Sequence, residues 1–193
     1  MLKTHRLKLV KPNLSYTDEL YQLHTNKVAT KYTPKGIHQN KVATRDFIKG
    51  WMRHWDEYQF GYFILIMRDN QEVVGIAGFE YRTIHQQQFL NAYYKIFPSY
   101  TGVGLAFESM EEIARHLEKH DTITPKIIRT NQYNTNSIKL AQRLGYNYDA
   151  NWDDVINKGD RCFFLTYKRW IITKTISMML SLIHISEPTR LRR

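Results

Sequence analysis

The sequence predicts a single α/β domain whose sheet is mixed but mostly antiparallel, with six to seven strands and helices on both faces. Three observations carry that expectation. Short runs rich in β-branched and aromatic residues (62–67, 73–81, 89–97 and 126–130) alternate with stretches whose apolar residues recur at helical spacing. The first two runs are joined by Arg68-Asp69-Asn70-Gln71, a hairpin signal that makes those neighbours antiparallel. Finally, 193 residues with 42% hydrophobic and 24% charged side chains suffice to bury one core.

In order, residues 6–11 alternate Leu7 and Leu9 with Arg6 and Lys8, the period of a half-buried first strand, which Pro12 ends. Ser15 caps a helix with Asp18 and Glu19 in its first turn and Tyr16, Leu20 and Leu23 on its apolar side. Residues 31–40, with Pro34 and Gly36, read as a loop. A second helix, 41–58, carries Val42, Phe47, Ile48, Trp51, Met52 and Trp55; the two tryptophans are expected to pack on the sheet. In the strand 73–81, Gly75 and Gly78 mark a bulge or the close approach of another backbone. A loop through His85 and three glutamines leads to the central strand, 89–97. After the next helix come a short strand, 126–130, and a helix, 134–144, with Ser137, Leu140, Ala141 and Leu144 on one stripe and Gly145 as its stop. Two last strands, 146–155 and 162–167, are joined near Lys158-Gly159-Asp160.

Chemistry concentrates in residues 91–119. An aromatic strand ends at Pro98, a Gly102-Val103-Gly104 turn follows, and a helix begins, with Ala106, Met110, Ile113, Ala114 and Leu117 on one face. The first turn of a helix has N–H groups without partners and a positive partial charge, and glycines remove the side chains that would shield them. The result is a candidate anion cradle. Glu108, Glu111 and Glu112 early, and Arg115, His116, Lys119 and His120 late, also suit the helix dipole. A dinucleotide fingerprint is incomplete, because Phe107 stands where the third glycine belongs, and no Gly-Lys-Ser/Thr follows to make a triphosphate loop.

A second motif lies about thirty residues on: Asn134, Ser137, Leu144, Gly145 and Tyr146 match an Asn-x-x-Ser…Leu-Gly-Tyr/Phe pattern. With the glycine turn, in this order and separation, the chain resembles the GNAT acyl-CoA N-acyltransferases over residues 6–167, and most of all the ribosomal-protein N-terminal acetyltransferases. The resemblance implies a GNAT-like sheet with the cofactor where two central strands diverge, and acetyl-CoA as co-substrate without a metal. It implies backbone pairing of pantetheine near Ile96 and Phe97, and diphosphate binding at Gly102, Val103, Gly104 and Leu105. Asn134 is implied as a cofactor contact from the head of its helix, where N-capping is its other role. The helical pair before residue 60 resembles the lid over the acceptor. Ser99 occupies a position where the family places Gln or Arg, which weakens one contact and leaves the backbone cradle intact.

The acid and base stand apart from the family pattern. Ala141 holds the place of the tyrosine that protonates the leaving thiolate in many members, which points to Ser137 or water instead. Asn91 stands where the ribosomal branch has a glutamate, and an amide accepts no proton. Glu80, between Phe79 and Tyr81, is then the candidate base through a desolvated carboxyl. Tyr93 and Tyr94 face opposite ways on the central strand, and Tyr94 is taken as the one at the site. The implied acceptor is a small-molecule amine or a protein N-terminus, and a homodimer is allowed. The alternative is a noncatalytic CoA- or nucleic-acid-binding module of the same fold, which Ala141 and Asn91 permit.

Other readings are weaker. His116 and His120 share a helix face without a third ligand. Cys162, beside Phe163 and Phe164, reads as core, and a single cysteine excludes an internal disulfide framework, pointing to a reducing cytoplasm. Asp149, Asp153 and Asp154 lack calcium-loop spacing. The net charge of +10 invites nucleic acid, but Arg169, Lys174, Arg190, Arg192 and Arg193 against Glu187 leave +6 on residues 1–168, which suits a tetra-anionic cofactor equally well. The domain is therefore expected at 1–168 and a non-domain tail at 169–193. Within that tail, 180–190 resembles the in-frame translation of a sequencing-library adapter, so 180–193 is expected to be artefactual. The apolar stretch 170–185 is too short and too polar to span a membrane, and basic residues at the start leave no signal peptide, so the cytoplasm is the expected location.

Overall fold

In order, the chain forms β1 (Leu2–Lys3), β2 (Leu7–Val10), α1 (Thr17–Thr25), α2 (Lys41–Tyr58), β3 (Tyr62–Met67), β4 (Val73–Ile84), β5 (Gln87–Ile96), α3 (Leu105–Leu117), β6 (Lys126–Asn131), α4 (Thr135–Arg143), β7 (Asn147–Tyr148) and β8 (Asp160–Phe164). The structure, a computed structural model, describes residues 1–33 and 36–165. The expected end of the last strand at Tyr167, the domain boundary at 168, and the tail with its adapter-like segment lie outside the described residues.

Eight strands form one sheet in the order β1-β2-β3-β4-β5-β6-β8-β7. Every pair is antiparallel except β5 with β6. The strand beyond the expected six or seven is β1, two residues that fold back on β2 through a turn closed by Thr4 N–H to Leu7 O (2.9 Å). The expected strand 146–155 shrinks to β7 because Asp149 turns the chain: its side chain accepts from the Asn151 amide (3.1 Å) and starts a 3-10 turn. Asp153 pairs with Arg161, and Asp154 accepts from the Gly159 amide (2.5 Å), so these acids tie down the loop.

Alternation along the strands sorts side chains to two covered faces. On one, α1 and α2 lay Leu20, Leu23, Ile48 and Trp51 on Tyr62, Ile64, Ile66 and Ile76. On the other, α3 and α4 lay Leu105, Met110, Ile113, Leu117 and Ala141 on Phe63, Leu65, Ala77, Phe79, Leu90 and Ala92. Each large apolar side chain buried here contributes about 1.5–3 kcal/mol. Trp51 and Trp55 pack on the sheet as expected, at 6% and 4% exposure, and Trp55 Nε1 donates to Tyr62 O (2.7 Å). The glycines of β4 mark close approach. A Cβ at Gly78 would lie 2.4 Å from Gly61 O, and one at Gly75 would lie 2.3 Å from Lys95 O. That packing seats β4 tightly between β3 and β5.

Candidate active site

β5 is held unequally by its neighbours. It pairs with β4 from Gln87 to Ile96, but with β6 only at Leu90, Asn91 and Ala92. Beyond Ala92 the two parallel strands separate. Leu90 N–H donates toward the β6 side, to Pro125 O (2.9 Å), and Phe97 N–H donates toward β4, to Val74 O (2.9 Å). Strand alternation therefore turns the N–H and C=O of Tyr94 and Ile96 toward the opening. Of the two backbone positions expected to pair with pantetheine, Ile96 faces the opening. Phe97 is engaged at both ends, since its carbonyl also accepts from Tyr100 N–H (2.9 Å). The backbone of Tyr94, one strand period before Ile96, faces the opening as well.

The glycine turn sits at the end of that opening. Gly102 and Gly104 have φ of 81° and 86°, and Gly104 is the N-cap of α3 without a side-chain cap. Among the described residues, none accepts from the amides of Gly102, Val103, Gly104 or Leu105. Gly102, Val103 and Gly104 border a cleft of about 530 Å³ that Arg6, Phe107, Glu108 and Arg143 also line. Arg6 Nε pairs with Glu108 (2.7 Å), and its Nη1 donates to Val103 O (2.9 Å). Burial pushes the Glu108 carboxyl up, but hydrogen bonds from Thr4 and from the amide and guanidinium of Arg6 outweigh it and hold the group below the usual range. Arg143 lies over the Phe107 ring at 3.9 Å. The cleft thus sets Arg143 and the Glu108-paired Arg6 beside open amides, with Glu111 also on its lining; the amides are the groups that fit a diphosphate. Arg6 and Arg143 escaped sequence reasoning because nothing near them in the chain connects a first strand and a helix end with a turn at 102–104.

Asn134 takes the capping role: its Oδ1 accepts from Ser137 N–H (3.2 Å). Ser137 Oγ lies 2.6 Å from Tyr94 Oη, so two of the expected site residues meet across the gap between β5 and α4. Burial pushes the Tyr94 phenol up to about 12. Ala141, one turn further along α4, is buried in the core.

Glu80 lies on the opposite face of the sheet. It is 5% exposed, in register with Asn91, and borders a cleft of about 580 Å³ with Phe47, Trp51, His54 and Arg82. Arg82 Nη2 donates to it (2.9 Å), as does the Tyr62 hydroxyl, yet burial prevails and raises its pKa above the usual carboxylate value. Asn91 Oδ1 accepts from Arg129 Nε (2.9 Å), and its Nδ2 donates to Ala92 O (3.1 Å). Tyr93 is on this face too, against Tyr62 and His24. The face therefore gathers titratable groups around an aromatic wall.

The weaker candidates keep structural surroundings. His116 and His120 have ring centres 4.8 Å apart, and among the described residues no group of three His, Cys, Asp or Glu is placed to hold a metal. Cys162 is buried, its thiol pushed up to about 12 and donating to Trp152 O (2.9 Å). No helix among the described residues is long and apolar enough to cross a membrane.

Comparisons with known proteins bear on the fold and the family. A search of curated proteins returned no match. Among solved structures, an acetyltransferase from Agrobacterium tumefaciens str. C58 superposes with a TM-score of 0.73 at 14% identity, covering 86% of this chain and 94% of its own. An acetyl transferase from Salmonella typhimurium that modifies the N-terminal serine of the 50S ribosomal subunit protein L7/L12 does so at 0.67 and 16%, covering 83% and 94%. The microcin C7 self-immunity acetyltransferase MccE, in complex with acetyl-CoA and AMP, gives 0.64 and 15%, covering 83% and 92%. A sequence profile for the acetyltransferase (GNAT) domain matches residues 6–147, and the chain accordingly belongs to the GNAT acetyltransferase family.

Proposed function

We propose that the protein is an acetyl-CoA-dependent N-acetyltransferase that passes acetyl to a primary amine by direct attack, both substrates being bound together. The observation that carries this reading is the row of unaccepted amides at Gly102, Val103, Gly104 and Leu105, at the end of the free edge of β5. Those amides, with Arg6 and Arg143 beside them, hold the CoA diphosphate. Ile96 and Tyr94 offer backbone groups to pantetheine. The solved relatives with acetyl-CoA bound, or with an N-terminal serine as acceptor, support the same donor and acceptor classes.

The thioester supplies an activated acyl carbon; the chain manages the protons. Glu80, kept partly desolvated, accepts a proton from the incoming ammonium at a carboxylate oxygen and frees the nitrogen lone pair. The nitrogen bonds to the acyl carbon, the C–S bond breaks, and the sulfur leaves as thiolate; solvent water takes the second proton from the nitrogen and afterwards returns one to Tyr94. Tyr94 remains protonated at neutral pH and gives its hydroxyl proton to that thiolate, with Ser137 Oγ orienting the phenol. The Tyr94–Ser137 pair thus stands in for the tyrosine that Ala141 lacks.

Titration calorimetry with acetyl-CoA, followed by thiol release with a mixed pool of amines, tests the reading. Binding in the micromolar range and steady amine-dependent release are expected. No binding at ~1 mM would sink it. The noncatalytic module, which Asn91 and Ala141 permit, binds CoA and releases no thiol; strongly salt-dependent RNA binding would point to that module instead.

A further inference from the structure

Lys95 sits inside the fold without a counter-ion among the described residues. It is 6% exposed and lies on β5 in the same side-chain row as Asn91 and Tyr93, on the α1/α2 face. Its Nζ donates to Thr33 Oγ1 (3.3 Å) and stands 5.9 Å from the centre of the Tyr93 ring. Among the described residues no ion pair involves it. Lys126, equally buried, has the carboxylates of Glu118 and Asp121 acting on it; burial alone acts on Lys95 and lowers it to about 8, which leaves it mainly charged at neutral pH.

Its neighbours supply no negative charge. His24 and His38 are stacked with ring centres 4.1 Å apart. His24 Nδ1 donates to Leu20 O (2.9 Å), so Nε2 is an acceptor and receives the Tyr93 hydroxyl (3.2 Å). Burial, and then the charge of Lys95, hold His24 and His38 down to about 3 and about 4. A buried cation among neutral rings is costly unless an anion completes it.

The cluster adjoins the cleft at Glu80. His38 stacks on Phe47 (4.5 Å) and His24 lies 6.1 Å from Trp51, and both Phe47 and Trp51 line that cleft. Glu80 is level with Asn91, four residues from Lys95, or roughly 13 Å along the strand. We propose that Lys95 is the carboxylate-recognition point of the acceptor pocket, so that the acceptor carries a carboxylate several bonds from its amine. That backbone spacing favours such an acceptor over an α-amino acid, whose amine and carboxylate share one carbon. This inference rests on the transfer reading above.

The test compares matched acceptors with the full chain and acetyl-CoA: 6-aminohexanoate against its amide, and the peptide amides Ala-Ala-Glu and Ala-Ala-Gln. The first pair probes a small amino acid and the second an acidic side chain near a peptide N-terminus. The carboxylate member of at least one pair is expected to have a kcat/KM about tenfold or more above its neutral partner. Lys95→Met should bring that ratio near one and Lys95→Arg should keep part of it, with acetyl-CoA affinity retained as the control for folding. A ratio near one in the natural chain for both pairs, or an unchanged ratio in Lys95→Met, overturns the proposal. Tryptophan fluorescence, read on the same acceptors without acetyl-CoA, separates this from failure of the transfer reading. Preferential binding of a carboxylate member that Lys95→Met abolishes supports the subsite even if no transfer occurs, and absence of that preference overturns it.

Discussion

On the α3/α4 face of the sheet, the open polar groups are backbone amides from one continuous stretch, Gly102 to Leu105. On the α1/α2 face the polar groups are side chains, most of them buried and hydrogen-bonded: Glu80, Arg82, Tyr93, Lys95, His24 and His38, drawn from β4, β5, α1 and the segment before α2. The first arrangement depends on φ angles and on the absence of Cβ atoms, and tolerates variation in side chains. The second depends on burial, which shifts Glu80, Tyr93, Lys95, His24 and His38. One face is therefore broken by strain and the other by chemistry, and substitutions on the two should fail in different observables.

The largest effect is expected from Glu80→Gln on the side-chain face. If Glu80 takes the amine proton, kcat/KM should fall by about 10²–10⁴ while calorimetry finds acetyl-CoA affinity unchanged. The group must be ionised to accept a proton, and burial raises its pKa. The natural chain should therefore lose rate as pH falls through a value above the ordinary carboxylate range, and Glu80→Gln should lack that limb. A rate close to that of the natural chain, far short of the loss a positioned base accounts for, would remove Glu80 from the reaction.

Gly104→Val should be next, on the backbone face. At φ of 86° a β-branched residue is strained by about 1–2 kcal/mol, and relaxation would turn the amides away from the cleft. Acetyl-CoA affinity is expected to drop between tenfold and a hundredfold, with kcat at saturation changed much less. Equal losses in kcat and affinity would mean that the two faces are not separable. The smallest effect belongs to Tyr94→Phe. It leaves the buried Ser137 hydroxyl without its 2.6 Å partner, costing about 1–2 kcal/mol in a denaturant titration, and it should lower kcat roughly tenfold with KM retained. A stability loss with kcat untouched would make the pair a structural strut.

Much of this architecture was legible because its signals are local. The helix 41–58 and the strand 62–67 were read with the boundaries the structure has, since hydrophobic period and capping residues act within a few positions. The glycine turn was legible for the same reason. Where local signals were silent, the reading fell short. The supposed loop through His85 and three glutamines is a two-residue hairpin turn, with His85 and Gln86 at φ of 47° and 62°. No glycine announces that turn; the long β4–β5 pairing offsets its strain. Phe97, expected at the pantetheine, is engaged by Val74 and Tyr100, because strand phase is set by a partner twenty residues earlier.

The sequence by itself determined most of the order of elements, the glycine turn at 102–104 and the family pattern at Asn134, Ser137 and Gly145-Tyr146, because each rests on backbone conformation encoded by adjacent residues. Only the tertiary structure decided that Tyr94 meets Ser137, that Arg6 and Arg143 flank the glycine turn, and that Lys95 lies with His24 and His38. Those are juxtapositions of side chains up to a hundred residues or so apart, created when packing removes water from between them. Burial shifts a proton affinity only once the burying neighbours are in place.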